Sequence, residues 1–141
     1  PANTSILGIK KGIPIFKMKY TQLILRIGLG VVFFWFGIDK FINTEFWVGF
    51  VPEYIKDLLP ININLFMYLQ GIIESLIGIL ILIGFYTRIA SSLAALILMG
   101  IIFFLGISDI TIRDFGLLSI AISLTFAGAG NLSLDNRRKS K

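Results

Sequence analysis

The chain has 141 residues, 56% of them hydrophobic, with no cysteine, no histidine and a net charge of +5. A soluble domain of this length could not hide so much apolar surface from water, so the composition indicates a single-domain integral membrane protein. The missing residue types exclude disulfides, thiol catalysis and any zinc, haem or iron–sulfur site that needs Cys or His ligands from this chain.

The N-terminal residues 1–19 form a polar, basic arm, and Gly12 and Pro14 argue against a stable helix across it. The first apolar span, residues 20–38, follows directly. Aromatic side chains occupy residues 33–36, where a signal peptide would carry small residues for cleavage. We therefore interpret this span as an uncleaved transmembrane helix.

The connection after the first span contains an amphipathic segment, residues 43–59. Its apolar side chains recur at four-residue steps in two rows, which predicts helix. Because Pro52 removes a backbone donor, the segment should form two short helices in the outer membrane interface with their rings turned inward. A plainer interpretation is that the rings only cover the end of the bundle. The two rows are Phe46, Phe50, Tyr54, Leu58 and Trp47, Val51, Ile55, Leu59.

Three further apolar spans each approach the length of about 20 residues that crosses a bilayer as a helix. They cover residues 63–85, 89–107 and 112–129. Because the connection between the second and third spans is very short, these helices should form a tight antiparallel hairpin. The sequence thus predicts an all-α fold, an antiparallel four-helix transmembrane bundle over residues 20–130, followed by a basic tail at 131–141.

The positions of the basic residues predict the orientation of this bundle. The N-terminal arm, the turn at residues 86–88 and the tail hold most of the lysines and arginines. The positive-inside rule then places both termini in the cytoplasm and the protein in the cell membrane as a multi-pass protein. This charge pattern accounts for the basic residues without nucleic-acid binding, which we do not expect.

Rows of small residues predict where the helices approach each other closely, since packing drives helix association in lipid. Such rows occur on the second and fourth spans. Their members are Gly71, Ser75, Gly78 and Ser119, Ser123, Ala127.

One carboxylate, Glu74, lies near the centre of the second span, where a charge costs on the order of 2.5–3.5 kcal/mol on insertion scales. Gln70 is one helical turn away on the same face. On the first span, Arg26 has a side chain long enough to approach Glu74, so we predict an interior polar cluster of Glu74, Gln70 and Arg26, with Gln22 nearby. It is either an ion pair that fixes helix register or a site for a proton or a quinone, and a protonated Glu74 bonded to a carbonyl is a further alternative.

A second set of charges is predicted at the outer end of the bundle. Asp39 and Lys40 close the first span, and Arg113 and Asp114 open the fourth. They either pair with one another at the helix ends or line an outward-facing vestibule that leads to Gln70 and Glu74.

Several short motifs, in order along residues 20–135, resemble the DoxX family of membrane proteins. They are LRIGLG at 25–30, GIDKF at 37–41, GIIE at 71–74, GFYTR at 84–88, DFGLL at 114–118 and GNLSLD at 130–135. The resemblance implies a four-helix membrane protein linked to quinone-coupled oxidoreductase systems, including thiosulfate oxidation and oxidative-stress complexes. The positions that the resemblance implies are characteristic of the family are Arg26, Asp39, Lys40, Glu74, Arg88 and Asp114.

We therefore expect a DoxX-like small subunit of a membrane oxidoreductase assembly, which either stabilises the catalytic subunits or contributes to a quinone site. Without Cys or His the chain is not expected to be catalytic on its own or to carry a metal, and quinone is the one cofactor considered. Its partners would be membrane lipids and other membrane subunits. Two alternatives stay open: a proton-coupled carrier or channel that uses Glu74, and a purely structural helical subunit.

Overall fold

The computed structural model describes residues 15–139 and contains seven helices in that range. They are α1 (Ile15–Ile42), α2 (Thr44–Val48), α3 (Glu53–Leu58), α4 (Ile63–Ile83), α5 (Thr87–Leu105), α6 (Asp109–Ala127) and α7 (Leu134–Lys139). Most of the predicted basic arm, residues 1–14, and the last two residues of the tail lie outside the described residues.

Four of these helices are long and apolar enough to cross a membrane. They are α4, α5, α6 and the part of α1 from Tyr20 to Ile42, with mean hydropathies between 1.5 and 2.2. The predicted all-α, four-span architecture is confirmed, and no strand occurs between residues 15 and 139. The cytoplasmic placement of the termini stays a prediction.

Glycines on α1 and α4 allow these two helices to pack with their backbones almost in contact. A Cβ atom added to Gly78 would lie 2.5 Å from the backbone nitrogen of Phe34, and one added to Gly71 would lie 2.7 Å from the carbonyl oxygen of Gly37. Ser75 lies against Gly37 in the same interface. The predicted small-residue contact face of the second span is therefore confirmed.

The corresponding prediction for the fourth span is wrong. Ser119, Ser123 and Ala127 are exposed on α6 and do not pack within the bundle. Each serine hydroxyl donates to the carbonyl oxygen four residues earlier, at 3.0 Å for Ser119 and 2.8 Å for Ser123. Their polar groups are satisfied within the helix, so these residues can face lipid.

The bundle consists of two closely packed helix pairs, α1 with α4 and α5 with α6, while α4 and α5 contact each other less extensively. A continuous apolar core joins the pairs. Its buried members are Leu29, Phe33, Ile77, Ile81, Ala90, Ala94, Ala95, Leu98, Leu118, Ala121 and Leu124. Small residues do enter this core, but as the alanines of α5 and α6 and not as the predicted serine row.

The two ends of the bundle differ in construction. The loop end carries α2, α3 and the α5–α6 connection, and the terminal end carries the α4–α5 turn and α7. At the terminal end, Gly84 ends α4 in the left-handed conformation with a φ of 71°. The carboxylate of Asp135 then accepts the backbone N–H groups of Tyr86 and Thr87 at 2.8 and 2.9 Å. The tail is thus anchored as a short helix across the start of α5, which the sequence did not predict.

Candidate functional site

The helical period of α4 explains why Glu74 points into the protein. The buried residues of this helix follow the helical period and share one face; they are Met67, Gly71, Glu74, Ile77, Gly78 and Ile81. Glu74 therefore lies on the face that packs against the bundle. It is 11 residues from Ile63, about 16 Å along the helix axis, which places it near mid-span.

The partner of Glu74 is Lys40. The ammonium Nζ of Lys40 donates to Glu74 Oε2 at 2.6 Å, and each side chain is only 5% exposed. Gln70 Nε2 donates to the other carboxylate oxygen at 3.1 Å. The Lys40 ammonium also lies 4.2 Å from the centre of the Trp47 ring, which adds a cation–π contact. Both buried charges are therefore paired, as a low-dielectric interior requires.

The predicted pair between Arg26 and Glu74 is wrong. The Arg26 guanidinium lies at the terminal end and donates to four carbonyl oxygens, those of Ile81, Leu82, Ala129 and Leu132, at 2.7–3.2 Å. The last carbonyls of a helix have no partner within it, and a guanidinium carries five N–H donors. Arg26 satisfies the end of α4 and the segment after α6 in this way, too far along α1 to reach Glu74.

Gln22, predicted near Glu74, also lies at the terminal end. Its side-chain amide donates to the carbonyl oxygen of Ala127 at 3.3 Å. Of the predicted interior cluster, the structure therefore brings together Glu74 and Gln70, and assigns Arg26 and Gln22 to closing the opposite end of the bundle.

The four outer charges divide among three environments. Asp39 accepts hydrogen bonds from Trp47 Nε1 at 2.8 Å and Asn43 Nδ2 at 2.7 Å, and so anchors α2 to the end of α1. Arg113 and the buried Asp114 pair with each other at 3.0 Å on α6. Lys40, the fourth member, turns inward to Glu74 instead of pairing at a helix end.

A cavity of about 740 Å³ brings both predicted sets into one place. Its polar side chains are Lys40, Gln70, Glu74, Arg113 and Asp114, and its other walls are almost entirely apolar. Asp39 does not line it. Members of two groups that the sequence treats separately, Gln70 and Glu74 of the interior one and Lys40, Arg113 and Asp114 of the outer one, thus face the same cavity.

The amphipathic segment covers the loop end of this cavity. Pro52 separates α2 from α3 as predicted, and Trp47, Phe50, Val51, Pro52 and Ile55 line the cavity. The rings do not all turn inward, since those of Phe46 and Tyr54 are exposed, as is the side chain of Leu58. Tyr54 is instead tethered by its hydroxyl, which donates to the carbonyl oxygen of Phe104 at 3.0 Å.

The chemistry available in the cavity is hydrogen bonding and proton transfer. Lys40 and Gln70 supply donors, and Glu74 and Asp114 supply carboxylates that accept donors or protons. No group of three or more Asp and Glu side chains that could hold a metal ion occurs within the described range. The arrangement suits a neutral, mostly apolar molecule with carbonyl or hydroxyl groups at one position.

Comparison with known proteins gives two matches. The family model described as DoxX matches residues 21–106. The chain is also similar to the Putative oxidoreductase CatD of Bacillus subtilis (strain 168), with 33% identity over 121 residues, which cover 80% of this chain and 83% of CatD. No solved structure matches the chain.

Proposed function

Since this chain belongs to the DoxX family, we propose that it is a small subunit of a membrane oxidoreductase assembly that contributes a quinone-binding cavity. The name of the similar Bacillus subtilis protein supports an oxidoreductase role. The observation that carries the quinone proposal is the buried Lys40–Glu74 pair, which faces an apolar cavity in the membrane-spanning part of the chain. An ionisable pair at this depth typically marks a proton or ligand path.

The cavity fits a quinone in size and in chemistry. About 740 Å³ lies within the range of roughly 300–1,000 Å³ typical of small-molecule sites, which are mostly apolar with a few convergent polar groups. A bound quinone accepts hydrogen bonds at its carbonyl oxygens and takes up two electrons and two protons on reduction. Phe33, Phe36 and Trp47 supply aromatic wall, and Lys40 and Gln70 supply donors from one side.

The residues of the polar cluster have distinct roles in this proposal. Lys40 and Gln70 hold Glu74 in place at 2.6 and 3.1 Å and can donate to a ligand oxygen from the same positions. Glu74 and Asp114 hold or release protons beside that oxygen. Arg113, with its guanidinium 4.9 Å from the centre of the Phe36 ring, keeps Asp114 charge-compensated at the cavity wall.

The electrons would come from another protein. The chain has no Cys or His and so cannot ligate a redox metal through those residues. We therefore assign to it an accessory role, with the quinone cavity as its contribution to the assembly.

A ligand-induced shift in thermal stability tests this proposal. A benzoquinol analogue at 100 times its Kd should stabilise the detergent-purified protein by about 2.7 kcal/mol and raise its Tm. Glu74→Gln should lose most of that shift, whereas Glu53→Gln, the same chemical change at an exposed residue outside the cavity, should keep it. Absence of a shift in the wild-type protein at saturating analogue would refute the quinone proposal.

The same Glu74 position favours one alternative, a proton-coupled carrier, because the carboxylate is buried and faces a cavity. Reconstituted vesicles with a pH-sensitive dye separate the two functions. A carrier would give proton flux that Glu74→Gln abolishes, with no dependence on quinol. If Glu74→Gln changes neither flux nor the ligand shift and only lowers thermal stability, the pair is structural.

A further inference from the structure

One wall of the cavity is also part of the outer surface of the bundle. Four aliphatic residues that line the cavity are at least 45% exposed: Leu69 and Ile73 on α4, and Leu93 and Leu96 on α5. The described apolar residues that α1 and α6 contribute to the lining are all buried or half-buried. The exposed aliphatic lining therefore places an opening of the cavity between α4 and α5, and Arg113 on α6 is the exposed charged residue of the lining.

The packing of the helices explains this opening. α4 and α5 are joined by the tight turn at Gly84 at the terminal end, but each packs mainly against another helix, α1 or α6. The cavity lies inside the bundle, with lining residues from all four spans, and it reaches the surface where α4 and α5 pack loosely against each other. Both helices have the length and hydropathy of membrane spans, so an opening in their shared face leads sideways into lipid and not into water.

We infer that this opening is a lateral portal, through which a membrane-dissolved ligand enters and its apolar tail leaves the site. The inference rests on the proposed quinone function and narrows its ligand class to amphiphiles, with a polar headgroup at Lys40, Gln70 and Glu74 and a long hydrocarbon tail between α4 and α5. The support for this inference is the match in polarity between such a ligand and the lining of the cavity. Hydrogen bonds hold Lys40, Glu74 and Gln70 together in one part of the lining, whereas the exposed lining residues of α4 and α5 are apolar. A water-soluble ligand has no apolar tail that could occupy an opening of this kind.

Gly100 provides a way to close the portal. It lies on α5, lines the cavity, and has no atom within 4 Å of the position where a Cβ would stand. Leucine can therefore replace it without a backbone clash, and its side chain would project into open space. Gly28 on α1 also has no atom within 4 Å of that position but does not line the cavity, so Gly28→Leu is a matched control.

The experiment compares two probes, a decyl-substituted benzoquinone and the same benzoquinone with a methyl group in place of the tail. Wild-type protein and Gly28→Leu should bind the tailed probe at least about tenfold more tightly, a preference of about 1.4 kcal/mol. Gly100→Leu should lose this preference and still bind the tail-free probe. Retained binding of the tail-free probe also shows that the variant is folded, and Gly100→Ala should give an intermediate preference.

The possible results distinguish failure of the portal inference from failure of the quinone proposal. Equal affinity of wild-type protein for the two probes, or an unchanged preference in Gly100→Leu, overturns the portal and leaves the quinone cavity standing. Failure of wild-type protein to bind either probe refutes the quinone proposal itself, and the portal falls with it. Binding of both probes only after Gly100→Leu would mean that the α4–α5 groove serves another occupant, such as a partner helix, and would also overturn the portal.

Discussion

Removal of the Lys40 charge gives the sharpest test of the buried pair. In Lys40→Met the side chain keeps nearly the same length and apolar stem but leaves Glu74 without its cation. With an effective dielectric constant of about 20, unit charges 2.6 Å apart attract by about 6 kcal/mol. Part of this is offset because the ammonium no longer has to be desolvated. The net loss should approach the roughly 3–5 kcal/mol typical of a buried pair that loses one partner.

Lys56 provides a matched control in the same chain. It pairs with Glu53 at 2.8 Å, almost the same distance, but Glu53 is 83% exposed. Lys56→Met should therefore cost no more than about 1 kcal/mol. Both free energies of unfolding can be measured by titrating the detergent-purified protein with SDS and following the loss of helix and tertiary signals.

A double variant separates the missing attraction from a simple loss of packing. Lys40→Met combined with Glu74→Gln removes both charges of the pair, and the new amide can still bond to Gln70, so most of the lost stability should return. If Lys40→Met costs no more than Lys56→Met, the argument from buried charge is refuted. If the double variant is as unstable as the sum of its single changes, Lys40 acts through packing and not through Glu74.

Further predictions concern the helix contacts and the terminal end. Gly78→Leu should destabilise the protein by at least about 1–3 kcal/mol, because its Cβ would meet the backbone of Phe34, whereas Gly116→Leu, where the space is open, should be neutral in the same SDS titration. Arg26→Met should cost at least about 3 kcal/mol, because four carbonyl oxygens lose the Arg26 donor and only that of Ile81 keeps another, the Gly84 N–H. Asp135→Ala should cost about 1 kcal/mol, as loss of a helix N-cap does, and should speed hydrogen exchange at the start of α5 without changing exchange near Glu74.

The four spans could be predicted from sequence because long apolar runs leave few other structures open to the backbone in lipid. The sequence predicts that the first span ends at residue 38, which is too early. Charges at Asp39 and Lys40 suggested that the helix had left the membrane, but the structure continues it to Ile42. Each charge has its own partner there, Trp47 for one and Glu74 for the other, so neither forces the helix to end.

The helical period of the buried positions on α1 could have identified Lys40 as the partner of Glu74. The buried positions of α1 recur at three- and four-residue steps, at Arg26, Leu29, Gly30, Phe33, Gly37 and Lys40. Continuing that period past the predicted end would have placed Lys40 on the inward face. The four acceptors of Arg26 could not be anticipated in this way. Two of them belong to the aperiodic segment after α6, whose fold over the terminal end leaves no signal in hydropathy.

Arg26 and Lys40, the buried cations among the residues whose burial the structure describes, are satisfied to different degrees, and this difference bears on function. Arg26 uses its guanidinium for four hydrogen bonds to backbone carbonyls, which suits a structural closure. Lys40 donates one hydrogen bond, to Glu74, and none of the hydrogen bonds among the described residues uses its other two N–H groups, although the side chain is 5% exposed. A buried ion pair contributes little net stability compared with apolar packing, so stability alone does not account for Lys40. The two remaining N–H groups of Lys40 are held in place beside the cavity, where a ligand oxygen can accept hydrogen bonds from them.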